Sequence, residues 1–167
     1  DGPGDPANQD DHGTQVLALL AGDHGDLYRG AAPRARYVLA KTQTLNGDDA
    51  DEVRFVAAVE WMLEQGVDVI STSVGFTDAD WPNNLDGETA AATQIAGVAT
   101  AQGVVFVAAI GNFGPGPTTL AAPADGATVL AVGAVDEALA VTDFSSRGPT
   151  VDGRIKPDLV APGAWLW

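Results

Sequence analysis

Residues 104–109 read Val-Val-Phe-Val-Ala-Ala, an uninterrupted apolar run with Gly103 before it and Gly111 just beyond. The run is too short to span a bilayer and lacks the alternation of a half-solvated strand, so it predicts a strand buried on both faces. Such a strand needs layers on both sides of its sheet. Thr128-Val129-Leu130-Ala131-Val132 repeats the pattern, and Val67-Asp68-Val69-Ile70 is a third strand candidate. Helical segments separate them. One runs to Gln65 from a cap at Asp48 or Asp49, with Val53, Val56, Ala57, Val59, Trp61 and Met62 as its apolar stripe and Gly66 as its stop. The next, rich in alanine, runs from about Glu88 to Gln102 and ends at Gly103. Strands alternating with helices imply right-handed crossovers. The expected fold is therefore α/β, a three-layer sandwich around a mostly parallel sheet.

The first part of the chain is less regular. Residues 1–11 are mostly acids, glycine and proline and read as loop. From His12 a short apolar helix follows (Val16, Leu17, Leu19, Leu20), stopped by Gly22. Residues 22–35 read as loop, and Arg36 to Lys41 is a short strand candidate.

Charge narrows the partners. Twenty-three Asp and Glu against eight Lys and Arg leave a net charge of −15. That surface repels phosphate backbones and anionic lipid, so nucleic-acid and membrane binding are not expected. The acidic first ten residues do not read as a signal peptide. The absence of cysteine excludes disulfides and thiolate metal sites. Aspartate outnumbers glutamate 18 to 5 and there are only 2 lysines, a balance that suits a salt-tolerant surface as well as ordinary solubility.

Parallel sheets bind ligands at the carboxyl ends of their strands. Ser71-Thr72-Ser73-Val74-Gly75 follows one strand candidate, and Ile110-Gly111-Asn112-Phe113-Gly114 follows another. His12 opens a helix, a place that favours a neutral imidazole able to act as a base. Singly, each has an ordinary explanation: a surface histidine, a left-handed turn asparagine, helix-capping serines.

Their order is more specific. His12-Gly13-Thr14-Gln15-Val16, Gly30-Ala31-Ala32-Pro33, Ser73-Val74-Gly75, Ala109-Ile110-Gly111-Asn112, Phe144-Ser145-Ser146-Arg147-Gly148-Pro149 and Lys156-Pro157-Asp158-Leu159-Val160-Ala161-Pro162-Gly163 together resemble the subtilisin-like serine proteases. The resemblance runs from His12 to Gly163, leaving residues 164–167 as a tail of one partial catalytic domain. It implies that His12 is the general base and that Asn112 donates its amide to the oxyanion. It further implies that Ser73-Val74-Gly75 is the edge along which a peptide substrate lies, and that Ala109-Ile110-Gly111 walls the primary specificity pocket. Most of the family is extracellular; nothing else in the sequence indicates a compartment.

The departures from the family bear on activity. Its nucleophile sits in a Gly-Thr-Ser-Met-Ala motif well after the Ala-Pro-Gly segment, whereas only Ala164-Trp165-Leu166-Trp167 follows in this sequence. Its triad aspartate closes an apolar strand upstream of the histidine, and only 11 residues precede His12. Gln15 stands where a second histidine is usual. All four serines of the chain, Ser71, Ser73, Ser145 and Ser146, fall in structural or substrate-binding motifs. The expectation is a truncated endopeptidase, incomplete at both ends and inactive alone. Two alternatives stand beside it: a non-catalytic peptide-binding or self-associating module, and a hydrolase completed by another chain. A bare sheet face would favour a homodimer, with Trp165, Leu166 and Trp167 as contacts.

No cofactor is expected. The family often binds calcium in surface loops, and Asp23, Asp26, Asp48, Asp49 and Asp51 are the acids suited to that. None has the alternating spacing of a dedicated calcium loop, so they read as solvated carboxylates. His24 beside Asp23 and Asp26 is thin for zinc.

Overall fold

The structure, a computed structural model, describes residues 10–43, 50–77 and 80–164, with Asp10 and Asp11 described by backbone alone. It divides into two compact units, one ending at Asp51 and one beginning at Glu52.

The N-terminal unit contains helix α1 (Asp10–Ala21) and a small antiparallel hairpin, β1 (Asp23–His24) with β2 (Tyr28–Arg29). The helix starts two residues before the expected position. The hairpin replaces an expected loop: Gly25 takes a φ of +58°, which lets the chain reverse between His24 and its partner Tyr28. The returning strand closes the end of α1. Gly30 N–H donates to Gly22 O at 2.7 Å, and Ala31 and Ala32 N–H donate to the carbonyls of Leu19 and Leu20. Tyr28 Oη adds a bond to Ala18 O at 2.7 Å, so carbonyls left over in the last turn are satisfied. Residues 36–41 form no strand. A strand exists only through its ladder, and the backbone of residues 36–41 enters no ladder among the described residues; Leu39 is left 63% exposed.

The C-terminal unit is a four-stranded parallel sheet in the order β3 (Val69–Thr72), β4 (Val105–Ala109), β5 (Leu130–Val135), β6 (Leu159–Pro162). Helix α2 (Asp51–Glu64) leads into β3, and α3 (Ala91–Ala101) crosses from β3 to β4. The α/β class and the parallel sheet are as the sequence suggests. The element boundaries shift by up to three residues, and β6 is an addition to the expected strands; the starts expected for α2, Asp48 or Asp49, lie outside the described residues.

Pleating assigns residues to faces. Ile70 pairs with Phe106, and Ala108 with Ala131, on one face. These side chains are buried against Phe55 and Val59 of α2 and against Ala92, Ile95, Ala96 and Ala99 of α3. The α2 stripe is only partly the one expected: Val56, Val59 and Met62 are on it, Val53, Ala57 and Trp61 are not. Phe55 and Val59 carry it, with Val56, Met62 and Leu63 partly buried, whereas Val53 is 67% exposed and Trp61 41%. Phe55 stands edge-on to Phe106 at 6.5 Å and to Phe76 at 5.2 Å.

The opposite face carries the cross-strand row Val69↔Val105, Val107↔Leu130 and Val132↔Leu159. Val69 and Leu159 are each 56% exposed, Val105 46% and Leu130 38%. This corrects the reading of residues 104–109 as buried on both faces: the run is apolar throughout, yet only alternate residues are covered.

Helix α3 begins without a side-chain cap of its own, since Ala90 occupies that position. Glu52 supplies the acceptor from α2, taking the Ala92 N–H at 2.9 Å. Just upstream, the Asp86 carboxylate accepts the N–H groups of Glu88 and Thr89 and the Thr89 hydroxyl. Those bonds, led by the Thr89 hydroxyl, hold its carboxyl below the usual aspartate range.

Candidate active site

The candidate site lies where β3 and β4 end. At the close of β3 the Thr72 hydroxyl accepts the Val74 N–H at 3.0 Å and turns the chain out of the ladder. Residues 73–75 follow β3, the edge strand of the sheet, with Ser73 and Gly75 exposed and Val74 half-buried. Phe76 fixes the far end of this segment by exchanging two backbone hydrogen bonds with Ala122, at 2.9 and 3.1 Å.

Beyond β4, Ile110 is buried and its N–H donates to Val132 O at 3.0 Å, carrying the ladder one residue further. Gly111 follows with a φ of +114°, a conformation closed to other residues. Gly75 and Gly111 both approach Ala121. A Cβ on Gly75 would stand 2.9 Å from the Ala121 methyl, and one on Gly111 3.5 Å from it. Ser73-Val74-Gly75 and Ala109-Ile110-Gly111 thus converge, through Gly75 and Gly111, on the same Ala121 methyl group.

Asn112 comes next and is exposed. Among the described residues no hydrogen bond engages its carboxamide. Its loop is nevertheless held. Ser146 N–H donates to Gly111 O, the Ser146 hydroxyl accepts the Phe113 N–H, and Gly114 N–H donates to Phe144 O, each at 3.0 Å. Gly114 has no room for a side chain, because a Cβ there would fall against the carbonyls of Asp143 and Ser145. Trp81 braces the same loop: its ring lies 5.4 Å from that of Phe113, and Nε1 donates to Leu120 O at 2.8 Å.

His12, the expected base, occupies the first turn of α1 in the N-terminal unit and is exposed. Asn112 and both of the other candidate segments belong to the C-terminal unit. Sequence reasoning missed Trp81, Ala121 and the grip of Ser146. The Phe144–Pro149 motif flagged Ser146 without a role; Trp81 carried no signal, since its bond to Leu120 spans 39 residues.

Among the described residues no three His, Asp or Glu side chains converge to hold a metal ion; Asp48 and Asp49 lie outside those residues. No helix among the described residues is long and apolar enough to cross a membrane.

By architecture this is a parallel α/β protein, and its candidate segments lie at the carboxyl ends of β3 and β4, the ligand position of that class. The chain belongs to the subtilase family, whose sequence profile matches residues 1–165. It is 32% identical to the serine protease AprX of Bacillus subtilis over 95% of this chain and 39% of that protein. It is 31% identical to pyrolysin of Pyrococcus furiosus over 85% of this chain and 12% of that one. Among solved structures, the self-cleaved protease domain of PatA superposes with a TM-score of 0.72 at 28% identity, covering 91% of this chain and 54% of that one. The prenylagaramide maturation protease PagA gives a TM-score of 0.65 at 29% identity over 89% and 50%. The chain therefore spans less than half the length of AprX and of pyrolysin, and about half of the PatA and PagA chains.

Proposed function

We propose that this chain is the central portion of the catalytic domain of a subtilisin-like serine endopeptidase, whose substrates are peptides or proteins. His12 acts as the general base and Asn112 as the oxyanion donor. Ser73-Val74-Gly75 receives the substrate backbone, and Ala109-Ile110-Gly111 walls the pocket for the side chain preceding the scissile bond. The observation that supports this best is that both segments, the two sides of the proposed groove, converge on the Ala121 methyl and are followed at once by Asn112, whose carboxamide has no hydrogen-bond partner among the described residues. An open strand edge recognises extended peptide through its backbone, and acyl transfer needs a donor aimed where the oxyanion develops. The 167 residues contain no match to the family's triad aspartate or nucleophilic serine, so this chain binds an extended peptide and does not cleave it alone.

Titration of the ¹⁵N-labelled chain with an alanine tetrapeptide blocked at both ends tests this reading. Amide resonances of residues 73–75 and 109–112 should move while the peptide stays intact, and a serine-directed fluorophosphonate should leave the chain unlabelled. Unmoved groove resonances at millimolar peptide would refute the binding role. Stoichiometric labelling at Ser71, Ser73, Ser145 or Ser146 would refute the inactivity.

The apolar row from Val69 to Leu159 favours a second property, self-association. A homodimer joined through that face would remove four exposed branched side chains per protomer from water. The suggested contacts at Trp165, Leu166 and Trp167 lie outside the described residues.

A further inference from the structure

We propose that Ser146 is the positioning residue for Asn112, an inference that rests on Asn112 being the oxyanion donor. A donor of this kind must be held to within about half an ångström of where the charge develops. An exposed asparagine between Gly111 and a loop containing Gly114 has no such constraint from its own neighbours. Ser146 supplies it from 33 residues away. It grips both peptides that flank the Asn112 Cα: its N–H donates to Gly111 O and its Oγ accepts the Phe113 N–H, both at 3.0 Å. With the peptide on each side anchored to one residue, the backbone of Asn112 cannot rotate without breaking a bond to Ser146.

The anchor is itself fixed. Ser146 is 1% exposed. Its neighbour Ser145 accepts the Ala134 N–H of β5 at 3.0 Å, which ties the clamp to the sheet. On the other side, Arg147 N–H donates to Thr119 Oγ1 at 3.0 Å, and Thr119 N–H returns a bond to Arg147 O at 2.9 Å. The fit at Gly111 is equally tight, since a Cβ there would stand 2.8 Å from Ser146 Oγ. The hydroxyl thus occupies the space that a side chain at 111 would need, and the left-handed glycine and the buried serine form one device. Ser145 and Ser146 are adjacent yet serve different ends, one reading the sheet and the other the loop.

The test uses the 167-residue chain, ¹⁵N-labelled and without substrate. In Ser146→Ala, exchange of the Phe113 amide should quicken about tenfold, the value of one net hydrogen bond. The side-chain NH₂ resonances of Asn112 should lose order, while the Phe106 amide in β4 stays as protected as before. Ser146→Thr should restore both Phe113 and Asn112, because it keeps the hydroxyl. An Asn112 signal unaffected by Ser146→Ala, or not restored by Ser146→Thr, would overturn the proposal. If Ser146→Ala does not fold, the native chain decides: a Phe113 amide exchanging at the rate of an open loop overturns it, and a protected one together with rescue in Ser146→Thr supports it. Failure of the functional reading looks different. There, an ordered Asn112 would accompany groove resonances that ignore the peptide.

Discussion

Lys156 Nζ donates to Asp158 Oδ2 at 2.7 Å, and the same ammonium donates to Val129 O at 2.8 Å, immediately before β5. Asp158 Oδ2 also accepts the Ala131 N–H at 2.8 Å, so this pair sets the register between β5 and β6. Partial burial acts to raise the Asp158 carboxyl, but the hydrogen bonds from Lys156 and Ala131 and the lysine charge outweigh it, and the group lies below the usual aspartate range.

A depressed folded-state value stabilises the fold above the unfolded aspartate value of about 3.9, and that stability disappears as pH falls through the folded value. Asp152, lowered to about 2 mainly by its hydrogen bonds from Arg154 and Thr150, titrates in the same direction. Stability measured by urea denaturation should therefore hold from neutral pH to about 4 and decline below it. In Asp158→Asn the decline should be shallower. Lys156→Met should cost about 1–2 kcal/mol at neutral pH, less than a fully buried pair would, since Asp158 is 34% exposed. An unchanged acid limb in Asp158→Asn would contradict the assignment.

The start of α3 depends on a residue of another helix. Glu52→Ala leaves the N–H of fully buried Ala92 without its partner and should destabilise the C-terminal unit by about 0.5–2 kcal/mol. Glu52→Gln retains an acceptor and should lose less. Equal losses in urea midpoints would mean that charge at the helix terminus, rather than the hydrogen bond, carries the effect.

The two faces of β4 should respond oppositely to substitution. Phe106→Ala, in the core, should cost about 3–5 kcal/mol. Val105→Lys, on the open face, should change monomer stability by no more than about 0.5 kcal/mol while abolishing self-association. Sedimentation equilibrium at micromolar concentration reads the second effect. A monomeric parent chain would rule out self-association through this face.

The charge of −15 makes a salt response testable. Repulsion among carboxylates opposes the compact state, and the screening length falls to about 10 Å at 0.1 M salt. The thermal midpoint should rise from dilute buffer to molar sodium chloride. A flat or falling trend would show that carboxylate repulsion is not a significant destabilising force.

Local chemistry made much of this protein legible. Gly66 and Gly103, with φ of +68° and +88°, end helices where helix-stop reasoning puts the ends, and the apolar runs at 104–109 and 128–132 overlap β4 and β5. Those features act within a few residues, and the sequence determined them along with the order of the family motifs. Coverage is another matter. Val105 and Phe106 are equally apolar and adjacent, yet one is exposed and the other buried, because pleating sends them to opposite faces and α2 and α3 pack on only one. The same holds at the candidate site. Gly75, Gly111 and Ala121, and likewise Asn112 and Ser146, are neighbours only after β3, β4 and β5 have paired. Their proximity was decided by the tertiary structure alone, because contacts between distant residues depend on the packing of whole elements and leave no periodicity in the chain.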